Sequence, residues 1–183
     1  MTSQSIYHLL LLSSISGIGH TRIRTLVNKF GSPENVLSAP LHQLLATDGF
    51  ERKNAEKILD PSQRDPQFVD AQLKLLEQYK TKIVTIWDED YPENLKNIFD
   101  PPAFLFVRGD VLDADRFAVA IVGTRESTPY GKIMTEILAK ALAQRGITIV
   151  SGLARGVDTV AHTAALQNGG RTLVVLGCGV DRI

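Results

Sequence analysis

The stretch that decides the fold runs from residue 117 to residue 179. It holds FAVAIV at 117–122, GTRESTPYG at 123–131, ITIV at 147–150, SGLARGVDTVAH at 151–162 and TLVVLGCG at 172–179. FAVAIV is a continuous apolar run, the pattern of a strand buried on both faces of a sheet. Gly131 to Gln144 follows as a helix with Met134, Ile137, Leu138, Ala141 and Leu142 facing inward, and Gly146 stops it. Ile147 to Val150 is a second buried strand. Thr159 to Gln167 is a second helix, stopped by Gly169-Gly170, and Thr172 to Leu176 is a third strand. Strand, helix, strand, helix, strand at this spacing predicts an α/β domain with a parallel sheet and right-handed crossovers, half of a Rossmann-like fold.

Each of the three strands ends in a loop of glycine and small residues: Gly123-Thr124-Arg125-Glu126-Ser127, Ser151-Gly152-Leu153-Ala154-Arg155-Gly156 and Gly177-Cys178-Gly179. The C-terminal ends of parallel strands share one edge of the sheet, so the loops should converge on one crevice, where such folds bind ligands. Glycine lets backbone N–H groups come close to a ligand. The first two loops feed helix N-termini, which favour anions, and Arg125 and Arg155 add guanidinium groups suited to phosphate. A phosphate-bearing ligand is the expectation. No G-x-G-x-x-G follows the first strand and no P-loop lysine is present, which disfavours dinucleotide and ATP binding of the usual kinds.

Asp158 and His162 lie one turn apart on the second helix. Asp158 is expected as an N-cap or first-turn acid and His162 as a satisfied structural histidine; the pair resembles part of a catalytic set, but no nucleophile accompanies it. Cys178 lacks an evident activating base. Four scattered histidines and one cysteine do not make a metal site. No catalytic residue, metal or cofactor is expected.

Working outward, residues 1–60 have the rhythm of short helices. Ser5–Leu12, Thr21–Phe30, Glu34–Leu37, Pro40–Leu45 and Arg52–Leu59 are separated by Ser16-Gly17-Ile18-Gly19, Gly31-Ser32-Pro33 and Thr47-Asp48-Gly49-Phe50. This predicts a doubled, SAM-like helix-hairpin-helix. Gly17 and Gly19 of the first hairpin either make a secondary phosphate contact through their N–H groups or simply turn the chain. The second hairpin is expected to be structural, with Asp48 standing where the first has a glycine. Asp60-Pro61-Ser62 marks a linker, so the expected domains are 1–62 and 63–183. Between the linker and the sheet lie an amphipathic helix at Phe68–Lys80, strands at Lys82–Ile86 and Phe104–Val107, and a short helix near Asn94–Ile98.

The chain has 183 residues, 44% hydrophobic and 22% charged, near the averages of globular proteins. Its N-terminal aliphatic run, Leu9–Leu12, falls far short of the ~20 residues that span a bilayer, so a soluble, cytoplasmic protein is expected. A net charge of zero argues against nucleic acid when taken whole. By segment, however, residues 1–60 hold 6 basic and 5 acidic side chains, 61–115 hold 6 and 11, and 116–183 hold 8 and 4. The surplus of +4 falls on the segment with the three loops.

IVGTREST-PYG, IVSGLARGVDTVAH and ALQNGGRTLVVLGCGVD, preceded by DEDYPENLKNIFDPPAFLFVRGD, resemble the DNA-processing protein A (DprA, or Smf) family over almost the whole chain. The resemblance implies binding of incoming single-stranded DNA during natural transformation and help in loading the RecA recombinase onto it. It maps the family's Gly-Ser-Arg turn onto Gly123, Thr124 and Arg125, with Ser127 after it, and the second loop onto Ser151, Gly152, Arg155 and Gly156; Gly177 and Gly179 complete the expected DNA and phosphate site. It also implies a homodimer in the full-length family, through strands that would follow residue 183, so the Rossmann-like sheet is expected to be a truncated half. Two other readings stand beside it: a nucleotide-processing enzyme of the lysine-decarboxylase-like phosphoribohydrolase type, and a protein-interaction module docking through its helical N-terminus.

Overall fold

The computed structural model describes residues 1–182, which divide into two compact units meeting at Asp110 and Val111. In the first unit five helices come in succession: α1 (Ser3–Ser14), α2 (His20–Phe30), α3 (Pro33–Ser38), α4 (Leu41–Leu45) and α5 (Arg52–Leu59). Local chemistry sets their ends. Thr2 caps α1 by accepting the Ser5 N–H, and α2 ends at Gly31, whose φ of +82° is the left-handed conformation glycine tolerates. Four consecutive leucines of α1, Leu9 to Leu12, are buried, because the surrounding elements enclose that helix on all sides. Next come α6 (Pro66–Gln78) and an antiparallel hairpin of β1 (Thr81–Thr85) and β2 (Phe104–Arg108), with the short α7 (Glu93–Lys96) between the strands.

A lone two-stranded hairpin is barely stable in water. Here Ile83 and Phe104 join the same buried cluster as Leu9, Leu12, Ile23, Leu26, Val36, Leu44, Ile58 and Val69. One core therefore runs across the Asp60-Pro61-Ser62 linker.

The second unit holds β3 (Ala118–Ala120), α8 (Pro129–Ala143), β4 (Thr148–Ser151), α9 (Val157–Gln167) and β5 (Thr172–Val174), as a parallel sheet in the order β3-β4-β5. This is the α/β order expected from the sequence. Two crossovers stepping the same way lay α8 and α9 side by side. Their contact is a seam of small residues: Ala139 and Ala143 pack with Ala161, Ala164 and Ala165 over Ile149 of the central strand.

Two expectations about burial are overturned. The run Phe117–Val122 is not buried on both faces: its strand covers only three residues, and Phe117 and Val122 are 63% and 72% exposed. β3 is an edge strand of the described sheet, and its apolar composition does not decide what lies over it. On α8, Ile137 and Leu138 are exposed instead of inward. The buried stripe is Thr135, Ala139 and Ala143, because the close approach to α9 selects small side chains over large ones.

Candidate nucleic-acid interface

The C-terminal edge of the sheet gathers the three loops. Ser151 Oγ donates to the Ile121 carbonyl at 2.6 Å, and the Val175 N–H donates to the Ser151 carbonyl at 2.9 Å, so all three strand ends are stitched together. The first two loops touch backbone to backbone. Val157 N–H donates to the Thr124 carbonyl at 3.2 Å. A Cβ added to Gly156, at φ +85°, would lie 2.6 Å from the Arg125 carbonyl oxygen, and one added to Gly123 would lie 2.7 Å from a Val157 methyl. Glycine at 123 and 156 is thus required by the approach of one loop to the other.

Within the first loop, Thr124 Oγ1 accepts the Glu126 N–H at 3.2 Å, closing a small turn around Arg125. Thr128 caps α8 by accepting the Gly131 N–H at 3.1 Å. The Ser127 hydroxyl oxygen is shielded from solvent and has no hydrogen-bond partner among the described residues.

The second loop is organised from inside. Asp158 is 6% exposed, and its Oδ2 accepts the N–H groups of Gly152 at 3.2 Å and Ala154 at 3.3 Å. Between them Leu153 holds φ at +61°, a left-handed conformation that side-chain-bearing residues seldom adopt. Two of the amides expected to face a ligand therefore face an internal carboxylate, and the Ser151 hydroxyl is spent on the sheet. Arg155 and Arg125 remain outward. Both are exposed and make no hydrogen bond or ion pair among the described residues. Arg155 immediately precedes Gly156, which lies against the Arg125 backbone, so the two guanidinium groups leave neighbouring stretches of chain.

The third loop is exposed. Gly177 has open space around its Cα, Gly179 sits against the Asp181 carboxylate, and Cys178 is a free, exposed thiol.

Asp158 and His162 do not form a pair. His162 Nδ1 lies 2.6 Å from Thr172 Oγ1, and that hydroxyl donates to the Ile149 carbonyl at 2.8 Å, so Nδ1 carries the proton. Burial holds the imidazole below its usual pKa, against the opposing pull of the Asp158 charge. Sequence reasoning gave Asp158 only to its own helix; the two loop amides it accepts were the missed function. The signal was an aspartate two residues after a glycine that needs positive φ.

In the first unit the two hairpins match turn for turn. Ile18 N–H donates to the Ile15 carbonyl and Phe50 N–H to the Thr47 carbonyl; Gly17 and Gly49 have φ of +90° and +74°; Gly19 caps α2 and Glu51 caps α5. This corrects the sequence alignment of the hairpins. Gly17 is retained as Gly49, Asp48 stands for Ser16, and it is Gly19 that an acid, Glu51, replaces. Around the first hairpin, Arg22 Nη1 donates to the Gly17 carbonyl at 2.6 Å and Lys57 Nζ to the Ser16 carbonyl at 2.8 Å. Asp100 accepts from Thr21 at 2.9 Å and from Arg24 at 2.5 Å, which places an acid beside the start of α2.

Among the described residues no group of three or more His, Cys, Asp and Glu side chains could hold a metal ion, and no helix is long and apolar enough to cross a membrane.

A family model described as DNA recombination-mediator protein A matches residues 82–183, and one described as a SAM-like helix-hairpin-helix tandem matches residues 9–61. Protein Smf of Synechocystis is 35% identical over 178 residues, covering 93% of this chain and 44% of that protein. Protein Smf of Escherichia coli is 34% identical over 175 residues, covering 96% and 44%. The chain spans about half the length of these curated relatives. The X-ray structure of DNA processing protein A from Streptococcus pneumoniae matches over 100% of this chain and 60% of that one, at 33% identity and a TM-score of 0.73.

Proposed function

Because the chain belongs to the DNA recombination-mediator protein A family, we propose that it binds single-stranded DNA without sequence preference, protects incoming DNA in natural transformation and helps load a RecA recombinase onto it. The proposed site is the loop cluster Gly123, Thr124, Arg125, Ser127, Ser151, Gly152, Arg155, Gly156, Gly177 and Gly179. In this reading the protein acts in the cytoplasm as a binding protein, not an enzyme, and pairing of two copies belongs to the same proposal. The observation that carries it is the juxtaposition of Arg125 and Arg155, both exposed and without partners among the described residues, on backbones in direct contact at the C-terminal edge of a parallel sheet. Unpaired guanidinium groups recognise phosphate oxygens by charge-assisted, two-pronged hydrogen bonds and carry no sequence information of their own. Gly152, Ser151 and Gly156 serve this site by shaping it, since their polar groups or close contacts are used within the protein.

A mobility-shift assay of single- against double-stranded oligonucleotides at two salt concentrations tests the reading. Preferential retardation of single strands, lost together in Arg125→Ala and Arg155→Ala, is expected. Unchanged binding in both variants overturns the site. Release of free base from a nucleoside monophosphate replaces the reading with the nucleotide-processing enzyme.

A further inference from the structure

We propose that Asp158 is a positioning residue of this site: its carboxylate fastens the second loop from within and so seats Arg155 beside Arg125. The proposal rests on the reading of the loop cluster as the DNA site. A buried acid under a phosphate-binding loop needs an explanation, since its charge opposes the ligand. Its oxygens give one. One of them, Oδ2, takes both the Gly152 and Ala154 amides, bridging the strained Leu153. Asp158 itself lies in the first turn of α9, where the helix dipole favours negative charge. The loop that results is fixed at four points: at Ser151 to the sheet, at the Gly152 and Ala154 amides to Asp158, at the Ala154 carbonyl to Thr159 Oγ1 at 2.7 Å, and at Gly156 to the first loop. Arg155 lies between the last two.

This arrangement also decides how phosphate is met. With the Gly152 and Ala154 amides turned to Asp158, they do not form a cradle for a mononucleotide phosphate. Contact falls to the two arginine side chains, which suits successive phosphates along a strand.

Binding of a fluorescein-labelled oligothymidine to the full chain, followed by anisotropy, tests the proposal in a double-mutant cycle of Asp158→Ala with Arg155→Ala. Asp158→Ala is expected to weaken binding about tenfold, that is about 1.4 kcal/mol. The double variant should bind no worse than Arg155→Ala alone. Asp158→Asn keeps an oxygen that can accept both amides and should restore binding to within about threefold of the parent. Hydrogen exchange at Gly152 and Ala154 should speed up in Asp158→Ala and not in Asp158→Asn. If Asp158→Ala does not fold, Asp158→Asn carries the test alone: binding within about threefold of the parent with unchanged exchange at Gly152 and Ala154 is expected, and a tenfold loss in the folded variant overturns the positioning role. Additive losses, or unaltered binding in Asp158→Ala, overturn the positioning role while leaving the site intact. Failure of the parent to bind, or of Arg155→Ala to weaken binding, overturns the site reading instead.

Discussion

Asp115 and Arg171, 56 residues apart, meet in a two-bonded ion pair, with Nε on Oδ1 at 2.6 Å and Nη2 on Oδ2 at 2.8 Å. Thr148 Oγ1 and the Leu112 N–H complete the carboxylate's partners, each at 2.8 Å. The pair ties the turn before β3 to β4 and to the residue that leads into β5, at the edge of the sheet opposite the three loops. The Asp115 side chain is 3% exposed. Removing one partner of such a pair leaves a buried charge uncompensated, so Arg171→Ala should destabilise the second unit by about 3 kcal/mol.

The same pair has a pH signature. Burial pushes the Asp115 carboxyl up, but the Arg171, Leu112 and Thr148 hydrogen bonds outweigh it and hold the group below the usual aspartate range. A carboxylate with a lowered folded-state pKa stabilises the fold above its unfolded pKa of about 3.9 and loses that contribution as the pH falls through the folded-state value. Denaturant unfolding of parent and Arg171→Ala at pH 7 and pH 3 should show the gap between them shrinking at the lower pH. A constant gap would mean the arginine acts through packing alone.

His162 titrates the other way. It is kept neutral by burial, whereas the unfolded chain takes up its proton near the ordinary value of about 6.5. Stability is complete above that value and declines as the pH drops from there toward the folded-state pKa. His20, lowered by burial and by the Arg24 charge, adds to the same decline. His162→Asn keeps a donor for Thr172 and removes the proton uptake. Its melting temperature should vary less between pH 7 and pH 5 than the parent's, with the His20 slope remaining.

Gly156→Ala and Gly177→Ala form a matched test of the loop geometry. At 156 the new methyl would meet the Thr124 and Arg125 carbonyl oxygens at a positive φ; at 177 it meets open space. Gly156→Ala should cost at least about 2 kcal/mol and separate the first two loops, whereas Gly177→Ala should stay within about 0.5 kcal/mol of the parent. Thermal melts read the first quantity, and anisotropy with labelled oligothymidine reads the loss of binding that accompanies it.

Salt titration gives an independent measure of the arginines. Each phosphate neutralised on a single strand contributes about −0.7 to the slope of log K against log salt. Arg125→Ala should flatten that slope by about this amount, equally for homopolymers of different base. A weakened affinity at unchanged slope would place Arg125 away from the phosphates.

The sequence was most informative where a pattern is local. Period, caps and stop signals locate α1, α2, α8, α9 and the chain order of β3, β4 and β5, and the rule that parallel strands share a ligand edge is enough to bring the three loops together. Pairings across distance were invisible: nothing near Asp115 names Arg171, and nothing near Val69 announces that it shares a core with Leu9. Composition also misled at β3 and α8. Apolar residues such as Val122 and Ile137 look buried in any pattern of this kind, yet burial depends on what else covers them. In the hairpins, alignment by glycine spacing failed because the equivalent positions are set by the positive φ shared by Gly17 and Gly49.

The alanine seam between α8 and α9 makes variation there run one way. Ala139, Ala143, Ala161, Ala164 and Ala165 have a single methyl each, and a Cβ on Gly170 would collide with Ala143. Almost nothing is left to trim at this contact, so nearly every accessible substitution is an enlargement. An enlargement drives the helices apart, and α9 begins at the residue whose amide is bonded to Thr124. The gap between the two arginine-bearing loops is thereby gauged by methyl groups further along the same helix, and a lineage that enlarged one of them would have to reset the mouth of the site as well.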